Sequence, residues 1–170
     1  MEIERSPEPL VKEDLKDLYV GSVQCLHKYF IQGQGVKWKQ LYNIEKPLAV
    51  ALCQGGAMHY HDGVNGIKDF DVWFFYPYNH KHLPYRTLWN WDYINPKFGR
   101  HPSMPGYTGR KVDVLVRSIK HHTENDPIKT IHDFLQYENT ASSRELAKKA
   151  VVMLAPEKIL GKVVWYKQKI

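Results

Sequence analysis

Two cysteines, Cys25 and Cys53, are too few and too far apart for a disulfide framework or a thiolate metal site. No CxxC pair and no HExxH occurs, and His59 and His61, two apart, do not share a helix face. His80/His82 and His121/His122 fall in loops, so a zinc site lacks its usual companions. No GxxxxGK[ST] loop is present, which excludes a Walker-type phosphate cradle. No apolar run approaches membrane-spanning length, and Met1-Glu2-Ile3-Glu4 is acidic rather than a basic-then-apolar leader. A cytoplasmic protein without membrane attachment is expected. The chain holds no internal repeat and no low-complexity tract, which excludes a solenoid.

What is present fits one domain over residues 1–170, long enough to bury a sizeable core. The formal net charge of +6 favours a polyanionic partner such as a nucleotide or RNA, although solubility alone explains a mild basic excess. Residues 1–8 read as a loose tail. A helix is predicted from about Pro9 to Ile31, with Val11, Leu15, Leu18, Val23, Leu26 and Phe30 forming its apolar stripe. Residues 47–53, PLAVALC, read as a buried strand ended by Gly55-Gly56, with a helix starting near Ala57. Asp62-Gly63-Val64-Asn65-Gly66 is turn chemistry. A strand over 69–76 follows, closed by Pro77, then a long insertion over 77–109 and a strand around Val112–Val116.

In the strand DFDVWFFY, alternation puts Asp69 and Asp71 on one face and Phe70, Val72 and Phe74 on the other. Adjacent carboxylates repel, and a hard divalent cation relieves that repulsion. Asp113, a lone carboxylate in a Val-rich strand, completes a three-carboxylate site if the two strands pair. A strand, then glycines, then a helix start lets a backbone approach phosphate closely.

Gly55-Gly56, Asp69-Phe70-Asp71-Val72 and the later Val112-Asp113-Val114 together resemble the signature of the DNA-polymerase-β-like nucleotidyltransferase superfamily. That signature is hG[GS], a short gap, Dh[DE]h, and a third carboxylate on a following strand, with h apolar. The resemblance covers residues 47–117. The order of elements gives an α/β (α+β) domain with a small mixed sheet flanked by helices, its core at 9–117 and C-terminal helices over 126–160, and the resemblance makes that core nucleotidyltransferase-like. The resemblance implies Mg²⁺ (or Mn²⁺) held by Asp69, Asp71 and Asp113, and an NTP whose phosphates meet Gly55 and Gly56. Lys68, Arg110 and Lys111 flank the carboxylates in sequence and are candidate phosphate contacts. Gly-Gly in place of the commoner Gly-Ser loses a hydroxyl contact to phosphate.

The implied reaction moves a nucleoside monophosphate from an NTP to an acceptor hydroxyl on an RNA end, a small molecule or a protein. Two other readings stay open. One is a catalytically inactive nucleotide- or RNA-binding module; the other is a toxin–antitoxin-type protein that binds a partner protein or a second copy through its helical C-terminal half. The insertion's aromatics, Tyr78, Tyr85, Trp89, Trp91, Tyr93, Phe98 and Tyr107, could stack a base or form a mini-core on the sheet. The run Arg117–His122 reads as solvated surface. Asp126-Pro127 is a helix cap, and Ser142 is expected to cap a further helix carrying Leu146, Ala150 and Met153 up to Pro156. The segment 162–166 fits either a strand or a short helix.

Overall fold

The structure is a computed structural model and describes residues 5–32, 39, 42–79, 89–101, 103–123 and 125–167. Leu15, Leu18, Leu26 and Phe30 recur at helical spacing and are buried along α1 (Lys12–Gln32). Val11, expected in that stripe, is half exposed and lies just before the helix, where the Asp14 carboxylate accepts its N–H. Two continuous apolar runs make the central strands β1 (Ala49–Cys53) and β2 (Phe70–Pro77). The short helix α2 (Gln54–Asp62) lies between them. The insertion supplies β3 (Trp89–Tyr93), and β4 (Arg110–Ile119) follows it. Then come α3 (Pro127–Tyr137), α4 (Ala141–Leu146), β5 (Ala150–Ala155) and β6 (Val163–Tyr166).

The six strands form one mixed sheet in the order β3-β4-β2-β1-β5-β6. β2 and β4 pair in parallel; every other pairing is antiparallel. A parallel pair needs a long crossover between its strands, and the insertion is that crossover. Helices cover both faces. Val50, Leu52, Phe70, Val72, Phe74, Val112 and Val114 pack with α1 and α2, while Ala51, Trp73, Phe75, Leu115 and Val151 pack with α3 and α4. No helix is long and apolar enough to cross a membrane among the described residues.

The C-terminal part departs from expectation. Residues 150–155, AVVMLA, are not the end of a helix but the strand β5, buried along its whole length beside β1. The helix before it ends at Leu146 and is capped by Thr140, whose hydroxyl accepts from the Ser143 N–H, rather than by Ser142. Leu146, Ala150 and Met153 matched helical spacing by coincidence. A β-branched run that can bury both faces is better satisfied in the middle of a sheet than on a helix. Residues 163–166 are the edge strand β6. Arg117, Ser118 and Ile119 are likewise buried at the end of β4 rather than solvated.

The described part of the insertion is a mini-core. Trp89, Trp91, Tyr93 and Phe98 pack against α1 and Phe70, and the Trp91 ring N–H donates to Ser22 at 3.0 Å. Residues 80–88, including Tyr85, lie outside the described residues. At Gly21 the Trp91 ring lies 2.2 Å from where a Cβ would stand. An alanine in a free helix position would stabilise by up to about 1 kcal/mol. Gly21→Ala is instead expected to destabilise by roughly 1–3 kcal/mol, because the rigid ring must move. Urea unfolding of the two proteins decides the sign, and a stabilised variant would refute this contact.

Candidate functional site

One end of the sheet gathers the chemistry. β1 is antiparallel to both β2 and β5, so the end of β1 meets the starts of β2 and β5. The parallel pairing adds the start of β4. The register places Cys53 opposite Asp71, Asp71 opposite Asp113, and Asp113 opposite Asn90. Residues paired in register share a face, so Asp71 and Asp113 stand side by side on the face that α3 and α4 cover further along. Asp69, just before β2, is close enough to raise the pKa of both.

The electrostatics are those of crowded like charges. Burial, then Asp69 and Asp113, push the Asp71 carboxyl up to about 7, against a smaller opposing pull from Lys149. Burial and then Asp69 raise Asp113, while Lys111 lowers it. Burial, reinforced by Asp71, also pushes the Cys53 thiol well up, so it stays protonated and serves as core. A cleft of about 310 Å³ opens beside Asp69 and Asp71 and is lined also by Arg5, Gln54, Gly55, Gly66, Lys68, Glu145 and Lys149; Asp113, paired with Asp71, is not in its lining.

The two glycines divide their work. A side chain on Gly56 would press within 3.1 Å of the Phe70 ring, so this position is set by packing. Gly55 faces the cleft, and the nearest atom to a Cβ there is an Arg5 guanidinium nitrogen at 4.0 Å. Gln54, at the corner between β1 and α2, holds φ 63°, a left-handed conformation that costs a non-glycine residue energy. The Cys53 side chain gives α2 no cap, which leaves the first N–H groups of the helix without that partner.

Of the flanking basic residues, Lys68 lines the cleft and Lys111 sits beside Asp113. Arg110 does neither. It lies on the opposite face of β4, buried, and donates to the carbonyls of Ile67, Gly99, Arg100 and Gly109. Its guanidinium anchors the loop leading into Asp69. Arg5, Gln54, Glu145 and Lys149 escaped the sequence reading. Arg5 lay in the presumed tail; Glu145 and Lys149 reach the cleft only because β5 pairs with β1. No sequence motif marks any of the four. Arg5, Lys68 and Lys149 form no ion pair with another described residue.

Among the described residues, no three His, Cys, Asp or Glu side chains gather into a ready metal cage. Mg²⁺ does not need one, since it typically takes one or two carboxylates and completes its shell with waters and substrate phosphates. Asp71 beside Asp113 is a donor set of that kind: hard oxygens, side by side, their charge only partly offset by Lys149 and Lys111. No protein-family model matches the chain, and neither curated proteins nor solved structures show a similarity to it.

A carboxyl whose pKa rises to about 7 on folding takes up a proton between roughly pH 4 and 7. Its contribution therefore falls as pH rises through that window and is least favourable above it. Asp71→Asn is expected to stabilise the metal-free protein by roughly 2–4 kcal/mol at pH 8 and to be near neutral at pH 4. Chemical unfolding across that range measures the difference, and a pH-independent effect would contradict the assigned charge crowding.

Proposed function

We propose that the protein is a metal-dependent nucleotidyltransferase that moves a nucleoside monophosphate from an NTP to an acceptor hydroxyl. On this reading the six-stranded mixed sheet is a nucleotidyltransferase-like palm. The observation that carries it is the in-register pairing of Asp71 with Asp113, flanked by Asp69, at the edge of a cleft lined by Gly55, Arg5, Lys68 and Lys149. These are oxygen donors for a divalent ion next to donors for a polyphosphate. The resemblance of residues 47–117 to the superfamily signature agrees with that geometry.

Asp71 and Asp113, with Asp69, would hold Mg²⁺ or Mn²⁺. Such an ion neutralises charge on the transferring phosphoryl group and acidifies the attacking hydroxyl. The Gly55 backbone at the start of α2, with Lys68, would bind the phosphate tail and fix the leaving pyrophosphate. Lys149, on the carboxylate side of the cleft, partly offsets the rise in the Asp71 pKa. The acceptor approaches from the β3 side of Asp113, where register sets exposed Asn90 opposite Asp113 and Asp92 opposite Lys111.

Thermal shift with Mg²⁺ or Mn²⁺ and each NTP tests the binding half. An NTP at about a hundred times its Kd should add roughly 2.7 kcal/mol, a rise in Tm of some 5–10 °C for a chain of this size. The rise should require the metal and vanish in both Asp71→Asn and Asp113→Asn. A shift that survives in those variants would sink the carboxylate assignment. Labelled NTPs incubated with cell lysate test the transfer half, wild type beside Asp71→Asn. Label moving to RNA, small molecules or protein names the acceptor class. Binding without any transfer would reduce the protein to a nucleotide-binding module.

A further inference from the structure

The segment before α1 is not a tail. Ser6, buried, exchanges two backbone hydrogen bonds with Ile67: its N–H reaches the Ile67 carbonyl at 2.9 Å, and the Ile67 N–H returns to the Ser6 carbonyl at 2.8 Å. Two residues on, the Glu8 carbonyl meets His59 Nε2 at 2.8 Å. The other ring nitrogen, Nδ1, accepts the Gly66 N–H at 2.8 Å, which makes Nε2 the protonated donor to Glu8. Leu10 then enters the core. Gly66 has φ 73°, and a Cβ there would lie 2.8 Å from the Arg5 Cβ, so the strap rests directly on that glycine.

What the strap delivers is one guanidinium. Arg5 lines the cleft over Gly55 and forms no ion pair with another described residue. An arginine presents a planar fork of donors suited to phosphate oxygens. Lys149, by contrast, acts on the carboxylate side of the same cleft, on Asp71. We infer that Arg5, held by the Ser6–Ile67 bridge and the His59 latch, binds the β,γ-phosphates of the nucleotide and makes the site selective for polyphosphates over monophosphates. The inference rests on the nucleotidyltransferase reading and assigns a specificity residue within it. The charge comes from outside the carboxylate strands, on a segment anchored by backbone bonds, one histidine and Leu10 in the core.

The test is calorimetric binding of inorganic pyrophosphate, an NTP and the matching nucleoside monophosphate, each with Mg²⁺, to wild type, Arg5→Gln and Arg5→Lys. The strap's anchors are backbone groups, so both variants should melt with wild type when no ligand is present. Arg5→Gln is expected to weaken pyrophosphate and NTP roughly tenfold to a hundredfold, the range for hydrogen bonds to charged groups, and to leave the monophosphate unchanged. Arg5→Lys should recover part of the loss. If wild type binds and Arg5→Gln binds pyrophosphate within twofold of it, the Arg5 assignment is wrong and the nucleotidyltransferase reading stands. If Arg5→Gln weakens the monophosphate equally, its role is general electrostatics and the selectivity claim falls. If wild type binds neither pyrophosphate nor any NTP, the nucleotidyltransferase reading fails and takes Arg5 with it. Should Arg5→Gln melt early, Arg5→Lys decides the matter alone: it must lose pyrophosphate affinity relative to monophosphate, and an unchanged ratio would refute the inference.

Discussion

The parallel pairing of β2 with β4 sets everything else at this end of the molecule. Its register leaves Asp71 no neighbour across the strand gap but Asp113. Like charges directly opposite on a sheet destabilise it, and burial adds to the cost. The sheet tolerates the pair because the strands around it are among the most apolar in the chain. Phe70, Val72 and Phe74 on β2 and Val112, Val114 and Val116 on β4 are all buried against α1 and α2. The core on one face thus holds the strands rigidly enough to keep two repelling groups in contact on the other. A carboxyl raised by burial and by two further carboxyls is unlike an ordinary structural ion pair, where the partner charge is opposite and the shift is downward.

Coverage of the two faces explains why the cleft is where it is. α3 and α4 pack over Trp73, Phe75, Leu115 and Val151, in the body of the sheet. At the starts of β2 and β4 only Glu145 of α4 reaches the cleft, and Asp71 and Asp113 are half-buried. The antiparallel turns of the sheet then bring α2, the Asp69 loop and the segment before β5 to the same rim. Arg110, buried beneath, shares the Ile67 carbonyl with Ser6 and so couples the Asp69 loop to the N-terminal strap. A residue expected to touch substrate instead fixes the loop that presents one of the acids.

The local parts of this site were legible and the assembled parts were not. Period-two alternation alone put Asp71 opposite its apolar neighbours, and a Val-rich second strand was enough to expect Asp113 beside it. Gly55 lies on the cleft with room for a Cβ, whereas Gly56 is set by the Phe70 ring, which no spacing rule announces. β5 was misread because a run such as Ala150–Ala155 satisfies helical and extended patterns alike when all of it is buried. Missing β5 meant missing Lys149 and Glu145, since only its pairing with β1 brings them to the cleft. Arg5 was hidden for a different reason. Ser6, Glu8 and their partners are joined through backbone groups and a histidine ring, and main-chain hydrogen bonds leave almost no trace in residue type.

The arrangement of charge around the cleft constrains what can fill it. Arg5, Lys68 and Lys149 line the same space as Asp69 and Asp71, yet none closes a salt bridge with them. For a purely structural cluster, direct pairing would be the lower-energy solution, because it would quench the repulsion that raises Asp71. Backbone places each group: the strap carries Arg5, the Gly66 loop Lys68 and Asp69, and β2 Asp71. A bare cation would satisfy the acids and add to the positive charge of the opposite wall. A bare anion would do the reverse. On the proposed reading, a polyphosphate carrying its divalent ion would supply both signs to the cleft at once.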